Sequence, residues 1–181
     1  MDWRHDPKLA CGMTIESLSH EIDFIRYVGG EIESVAASAT FSDEMHSFDD
    51  NVAATFTLRN GAIASILASW TSQLAYSARG AVGSTGAVMA TGRDIWTIQS
   101  IRKKLAEGQE EAITLSEEEG TTIALQAEDQ AYIDAIESDS LPPVSGEEGL
   151  SVLSASLALL ESFRTGNMVR VKTAQELLGE E

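Results

Sequence analysis

Apolar residues recur at three- and four-residue steps over Thr14 to Val28, where Ile15, Leu18, Ile22 and Ile25 fall on one side of an α-helix. The spacing predicts one continuous helix with a single buried stripe, closed by Gly29-Gly30, because glycine takes the left-handed stop that helices favour. Beyond Ile32 the period shortens. Ser34 to Phe41, Val52 to Leu58 and Ile63 to Trp70 are rich in β-branched and aromatic residues and read as strands. Asn60-Gly61, between the second and third runs, predicts a two-residue hairpin turn. Shorter strands are expected at Ala78 to Val82, Ala87 to Thr91, Ile95 to Gln99, Ala112 to Leu115 and Thr121 to Leu125. Helical spacing returns over Glu128 to Glu137 and over Glu147 to Arg164, where Leu150, Leu153, Leu157 and Leu160 form the repeat. Ser145 and Glu148 make a capping box before that helix, and Gly166 ends it. Met168 to Val171 adds a last short strand, and the acidic end from Thr173 is expected to fray. Ser42 to Asp50 and Arg102 to Glu111 are expected as charged surface connections. Helix, many strands, then helices is an α+β order, predicting an open, mainly antiparallel sheet with helices packed on one face.

Composition narrows the function classes. The 181 residues carry 12 Lys+Arg against 29 Asp+Glu, a formal charge of -17. That field repels a phosphate backbone or an acidic bilayer surface, which argues against nucleic acid and membrane as partners. At 43% hydrophobic and 23% charged the chain suits one folded domain over residues 1–181. The lone Cys11 closes no intrachain disulfide, and neither a leader nor a membrane-spanning run is evident, so a soluble, cytoplasmic protein is expected.

Candidate chemistry gathers on the first helix. Glu16, His20, Asp23 and Tyr27 are spaced by four, three and four residues and fall on one stripe, roughly opposite the apolar one. Histidine carries protons near neutral pH, and a carboxylate one turn away orients the ring. The same spacing equally suits a solvated face with an incidental helical pair, and Tyr27 suits a half-buried packing residue. Trp3 beside Arg4 has the stacking surface and the donors to hold a polyol or sugar, though packing is the commoner fate of such a tryptophan. The glycines of Gly80 to Gly86 do not have dinucleotide-fingerprint spacing, and Gly83-Ser84-Thr85-Gly86 reads as a turn between strands. His5, His46 and Cys11 fall into no metal spacing, so no metal is assigned.

Trp3-Arg4-His5-Asp6-Pro7, Gly12 and Glu16-Ser17-Leu18-Ser19-His20-Glu21-Ile22-Asp23, followed by Asn60-Gly61, the Gly83 to Gly86 turn and Pro142-Pro143-Val144-Ser145-Gly146-Glu147-Glu148-Gly149, occur in a telling order. In that order the chain resembles the carboxyl-terminal, substrate-binding domain of the Gfo/Idh/MocA family of NAD(P)-dependent oxidoreductases. The resemblance covers nearly the whole chain and implies a glyceraldehyde-3-phosphate dehydrogenase-like carboxyl-terminal fold. It also implies that the Rossmann domain preceding this one in the family, which holds most of the NAD or NADP, is absent, so no cofactor is expected on this chain. The family often shows Asp-x-Gly-x-His; here His20 matches the histidine, Glu16 stands at the aspartate and Leu18 replaces the glycine, where it is expected to narrow the passage beside that turn. No Glu-Lys-Pro occurs in the chain.

The resemblance implies a substrate-binding and oligomerisation domain acting on a sugar or cyclic polyol. His20 would be the acid/base partner, Glu16 its orienting group, and Arg4, Trp3 and Asp23 the substrate contacts. The chain alone lacks a hydride acceptor and is not expected to turn over. A stand-alone, non-catalytic sheet domain for self-association or protein binding is the alternative. In either case a homo-oligomer through the sheet face is expected, with Ala62, Ala64 and Ala68 suited to close sheet contact. A hydrolase built on Glu16 and another carboxylate has little support.

Overall fold

The computed structural model describes residues 11–41, 49–94, 97–115 and 121–179, with backbone alone for 121–124. In chain order the elements are α1 (Met13–Glu16), α2 (Leu18–Gly29), β1 (Ile32–Thr40), β2 (Asn51–Leu58), β3 (Ile63–Ser69), β4 (Ser77–Gly83), β5 (Gly86–Gly92), β6 (Ile98–Leu105), β7 (Glu110–Thr114), α3 (Thr121–Glu137), α4 (Gly146–Thr165), β8 (Val169–Arg170) and α5 (Ala174–Leu178). They form two bodies, Met1–Ser72 with Val144–Glu181, and Gln73–Pro143. The strands make two four-stranded antiparallel sheets, one in each body, and the fold class is α+β as expected. None of the described helices is long and apolar enough to cross a membrane.

In the first body the strand order is β3-β2-β1-β8. Alternation decides which face is covered: Val52, Ala54, Phe56 and Leu58 of β2 are buried, and Ala53 and Thr55 between them are exposed. A bulge between Ile32 and Ser34 lets Ile32 and Val35, three apart, both join the core. Leu18 and Ile22 of α2 and Ala155, Ala158 and Leu159 of α4 complete it. Ala64, Ile66 and Ala68 of β3 pack against the same core, so the expectation that Ala64 and Ala68 lie on the free face is corrected. Ala62 precedes β3 in the hairpin loop. The open face instead carries Ser34, Ala36 and Ser38 of β1, Ala53 and Thr55 of β2, and Ile63 and Leu67 of β3, the last two 78% and 88% exposed.

Helix α4 shows where periodicity misleads. Leu153 and Leu157 of the predicted stripe are 42% and 51% exposed, while Ser154, Ala155, Ser156, Ala158, Leu159 and Ser162 are buried. Small residues let α4 sit close to β1, and hydroxyls on that face satisfy backbone groups. Ser162 Oγ accepts from the Ala37 N–H at 2.9 Å and donates to the Asn167 carbonyl at 2.7 Å. Ala37 lies beyond the short β8 pairing, and the serine takes the partner's place. Ser145 caps α4 as expected, but Glu148 does not reach back to it; its carboxylate goes to Arg26 at 2.8 Å. Gly166 ends the helix in the left-handed conformation.

Turn chemistry brought further departures. The β2–β3 hairpin is present, but Leu58 donates its N–H to the Ala62 carbonyl, so three residues, Arg59 to Gly61, form the loop rather than two. Gly61 takes the positive φ of 87°. Asn60 instead uses its side chain, donating to the Gly29 carbonyl at 2.7 Å and accepting from Ala62 N–H at 3.0 Å, which ties the end of α2 to the hairpin. The chain end does not fray at Thr173: a Thr173/Glu176 capping box starts α5 and Gly179 closes it. Of the expected acidic loop, residues 42–48 lie outside the described residues, and Asp49 and Asp50 are buried.

The second body is a meander in the order β4-β5-β6-β7 with α3. Gly83 to Gly86 is the β4–β5 turn, as read from the sequence, and a Cβ at Gly86 would strike the Lys104 carbonyl. The stretch Arg102 to Glu111 is not a connection: it supplies β6 and β7, with Arg102 on Glu110 at 2.6 Å and Lys103 on Glu111 at 3.1 Å. Its charges resemble a loop because both faces of these strands are solvated there. Thr121 to Leu125, expected as a strand, opens α3, since the helix formers Ala124 to Glu128 outweigh two threonines. Ile95 and Trp96, the start of another predicted strand, lie outside the described residues.

Leu159→Ala should cost about 2–5 kcal/mol by opening a cavity under β1. Leu157→Ala should cost less than about 1 kcal/mol. Thermal unfolding of both variants distinguishes this arrangement from the leucine stripe, which demands comparable losses.

Candidate active site

The helix expected over Thr14 to Val28 is two helices. Ser17, at φ -113° and ψ -42°, separates the single turn α1 from α2. Glu16 closes α1, and His20 lies in the first turn of α2, with its N–H on the Ser17 carbonyl at 3.3 Å. The break takes Glu16 off the straight stripe that spacing alone predicts. His20 is exposed, while Glu16 is half-buried with its Oε2 shielded from solvent. The carboxylate is thus partly covered and the imidazole in the open, one on either side of the break.

Both ends of α1 are held by residues distant in sequence. At its start the N-cap residue, Gly12, has no side chain with which to cap it. Instead Met13 N–H donates to the Asp49 carbonyl at 3.2 Å and Thr14 N–H to the Asp49 carboxylate at 2.8 Å, to which the Thr14 hydroxyl also donates. Asp49 thus satisfies two of the donors that a helix start leaves open. Burial pushes its carboxyl above the usual value of 3.8; the Thr14 hydrogen bonds oppose the rise and the Asp50 charge adds to it. At the far end Trp70, just past β3, donates its indole N–H to Ser17 Oγ at 3.2 Å and its backbone N–H to the Asp50 carbonyl at 2.8 Å.

Asp23 is about half exposed and lies 3.5 Å from Arg26. Arg26 is the residue that spacing hid. It continues Leu18 and Ile22 at four-residue steps on the buried face of α2, and its side chain is 4% exposed. Glu31 takes both Nη2 at 2.7 Å and Nε at 3.2 Å; Glu148 takes Nη2 at 2.8 Å, and its carbonyl accepts from Nη1 at 3.3 Å. Desolvation weighs against the charge, but the hydrogen bonds of Glu31 and Glu148 prevail and hold the guanidinium above its ordinary pKa. Arg26 therefore joins α2, the residue before β1, and the first turn of α4.

Two expectations on this helix are corrected. Leu18 is 3% exposed and sits in the core, so it narrows no passage on the open side. Tyr27 is 88% exposed rather than half-buried, because the last turn of α2 turns it away from the sheet. Trp3 and Arg4, like His5 and His46, lie outside the described residues. Gly80 to Gly86 is occupied by the β4–β5 ladder and its turn, and its backbone does not form the strand-to-helix cradle that a pyrophosphate requires. Among the described residues no group of three His, Cys, Asp or Glu is placed to hold a metal ion.

The Asp49 shift fixes a pH dependence. A carboxyl whose folded-state pKa exceeds its unfolded value adds stability below the unfolded pKa and loses it as pH rises through the folded one. Asp49→Asn keeps an acceptor for Thr14 without the desolvated charge. Urea midpoints should coincide with wild type near about pH 3, and the variant should become the more stable toward about pH 7; a variant weaker at neutral pH contradicts the assignment.

The family model described as GFO/IDH/MocA C-terminal domain matches residues 1–89. The chain is 25% identical over 177 residues to a 1,5-anhydro-D-fructose reductase of Ensifer adhaerens, covering 94% of this chain and 51% of that protein. Among solved structures, levoglucosan dehydrogenase with NADH superposes with a TM-score of 0.82 at 18% identity, over 96% of this chain and 54% of that one. The WlbA dehydrogenase of Bordetella pertussis, in complex with NADH and UDP-GlcNAcA, gives 0.74 at 22% identity, over 95% and 49%. Aldose-aldose oxidoreductase of Caulobacter crescentus, complexed with glycerol, gives 0.79 at 20% identity, over 94% and 51%. The chain thus spans about half the length of the relatives it matches. Residues 1–89 thus match a GFO/IDH/MocA C-terminal domain, and the chain shares the antiparallel α+β fold of these solved structures.

Proposed function

We propose that this chain is the substrate-binding and oligomerisation domain of an NAD(P)-dependent oxidoreductase acting on a sugar or cyclic polyol. The observation that carries the reading is the exposed His20 set one break away from the half-buried Glu16. The relatives' printed names support the substrate class: levoglucosan, an anhydrofructose and an aldose are all polyhydroxylated rings or their open forms.

His20 accepts the proton of the carbinol being oxidised and returns it in the reverse direction, and Glu16 fixes the orientation of the ring. Asp23, Arg4 and Trp3 are assigned the contacts to the substrate's other groups. Asp23 is also tethered to Arg26, which limits its reach. The solved relatives in complex with NADH are about twice the length matched here, which supports a cofactor bound mainly by an amino-terminal Rossmann half beyond these 181 residues. A chain with no disulfide partner for Cys11 and a strong negative charge suits the cytoplasm.

In the complete two-domain enzyme His20→Ala should lower kcat by about 10²-fold or more, and Glu16→Gln by less. Turnover near wild type in the histidine variant sinks the catalytic reading and favours the non-catalytic sheet module. The open face of the first sheet, with Ile63 and Leu67 bare among small residues, supports self-association. Light scattering should give a multiple of 19.4 kDa for this chain, and Leu67→Glu should shift it toward the monomer.

A further inference from the structure

The residue between Glu16 and His20 is held from outside the helix. Ser17 Oγ accepts the indole N–H of Trp70 at 3.2 Å. Trp70 cannot drift: its backbone N–H is on the Asp50 carbonyl at 2.8 Å, and its ring packs against the hydrophobic core. Asp50 is followed by β2 and preceded by Asp49, whose carbonyl and carboxylate hold Met13 and Thr14. One rigid corner of the sheet therefore grips both ends of the turn that carries Glu16.

We propose that Trp70 is a positioning residue, whose hydrogen bond to Ser17 sets the angle between Glu16 and His20 for the acid/base step. A packing role alone needs only the ring, and a partly buried indole N–H can donate to any nearby acceptor. Here the acceptor is the one residue whose dihedrals define the break. A single turn such as α1 has too little stability to keep that angle by itself, and small misplacements of a catalytic group are costly in rate. The inference rests on the His20/Glu16 reading given above.

The test uses the complete two-domain enzyme and four variants. Trp70→Phe keeps the ring and removes the donor; Ser17→Ala removes the acceptor; Ser17→Thr retains a hydroxyl; Glu16→Gln removes the orienting charge. Trp70→Phe and Ser17→Ala should each lower kcat about tenfold with KM within about twofold, and Ser17→Thr should recover most of it. Combined with Glu16→Gln, the Trp70→Phe loss should vanish, because the angle no longer matters once the carboxylate is gone. In the 181-residue chain, amides of Ser17 to His20 should exchange faster in Trp70→Phe while β1 and β2 amides stay protected. If His20→Ala is inactive but Trp70→Phe and Ser17→Ala keep wild-type kcat, or their losses add fully to Glu16→Gln, the proposal is overturned and the acid/base reading survives. If His20→Ala keeps wild-type turnover, both fall together.

Discussion

Four residues cannot hold a helix on their own, and α1 has only four. Nucleating a turn fixes several dihedrals for one hydrogen bond, so an isolated turn of this length is unstable in water. It persists because Asp49, 35 positions away, supplies acceptors for its first N–H groups. The carboxyl does so while buried beside Asp50, a cost shown by its raised pKa. Everything proposed for the site depends on that exchange. The orientation of Glu16 is decided by where β2 begins, and the sheet rather than the helix is the frame of reference for the chemistry.

Arg26 solves the corresponding problem for α2 and α4. A chain with 29 acidic residues and 12 basic ones has cations to spare for few buried roles. This one is inserted where Glu31 and Glu148 converge, with its own side chain almost fully covered and both carboxylates about half exposed. The arrangement softens the usual penalty of a buried ion pair, since only one partner gives up its water while the other two stay largely hydrated. It also explains why Glu148 abandons the capping box: a bond to a buried guanidinium is worth more than one to an exposed backbone N–H.

Much of the fold was legible because it depends on local rules. Val52 to Leu58 alternates cleanly, Gly166 and Ser145 bracket α4, and Gly83-Ser84-Thr85-Gly86 turns as its composition says. What escaped depends on partners far along the chain. Nothing near Ser17 announces a break, since the bond that stabilises it comes from Trp70. Leu153 and Leu157 outscore Ala155 and Ser162 in hydropathy, yet a helix lying close to a strand selects its covered face by size and by the need of Ala37 for an acceptor. The signals that were available, a charged residue continuing a buried stripe at Arg26 and a paired Asp49-Asp50 at a strand start, carry meaning only once burial is known. On the candidate site, spacing and family resemblance single out Glu16, His20 and Asp23, but neither shows the break at Ser17 that takes Glu16 off the stripe nor the contacts that hold α1.

The burial of Leu18 changes how the departure from the family's Asp-x-Gly-x-His pattern should be weighed. A glycine in the first turn of a helix costs about 1 kcal/mol relative to a good helix former, so a leucine there strengthens the start of α2. Its side chain points into the core beside Ile22 and Met13, where it adds apolar burial and leaves the outer face unaltered. The substitution is therefore felt as stability, in the same turn that must keep His20 fixed. On the outward side the one change of reach is the extra methylene of Glu16, which moves its carboxylate farther along the side chain. On the proposed acid/base reading a longer carboxylate needs a turn held at a particular angle to serve the same ring, and the Asp49 and Trp70 contacts hold α1 from its opposite ends.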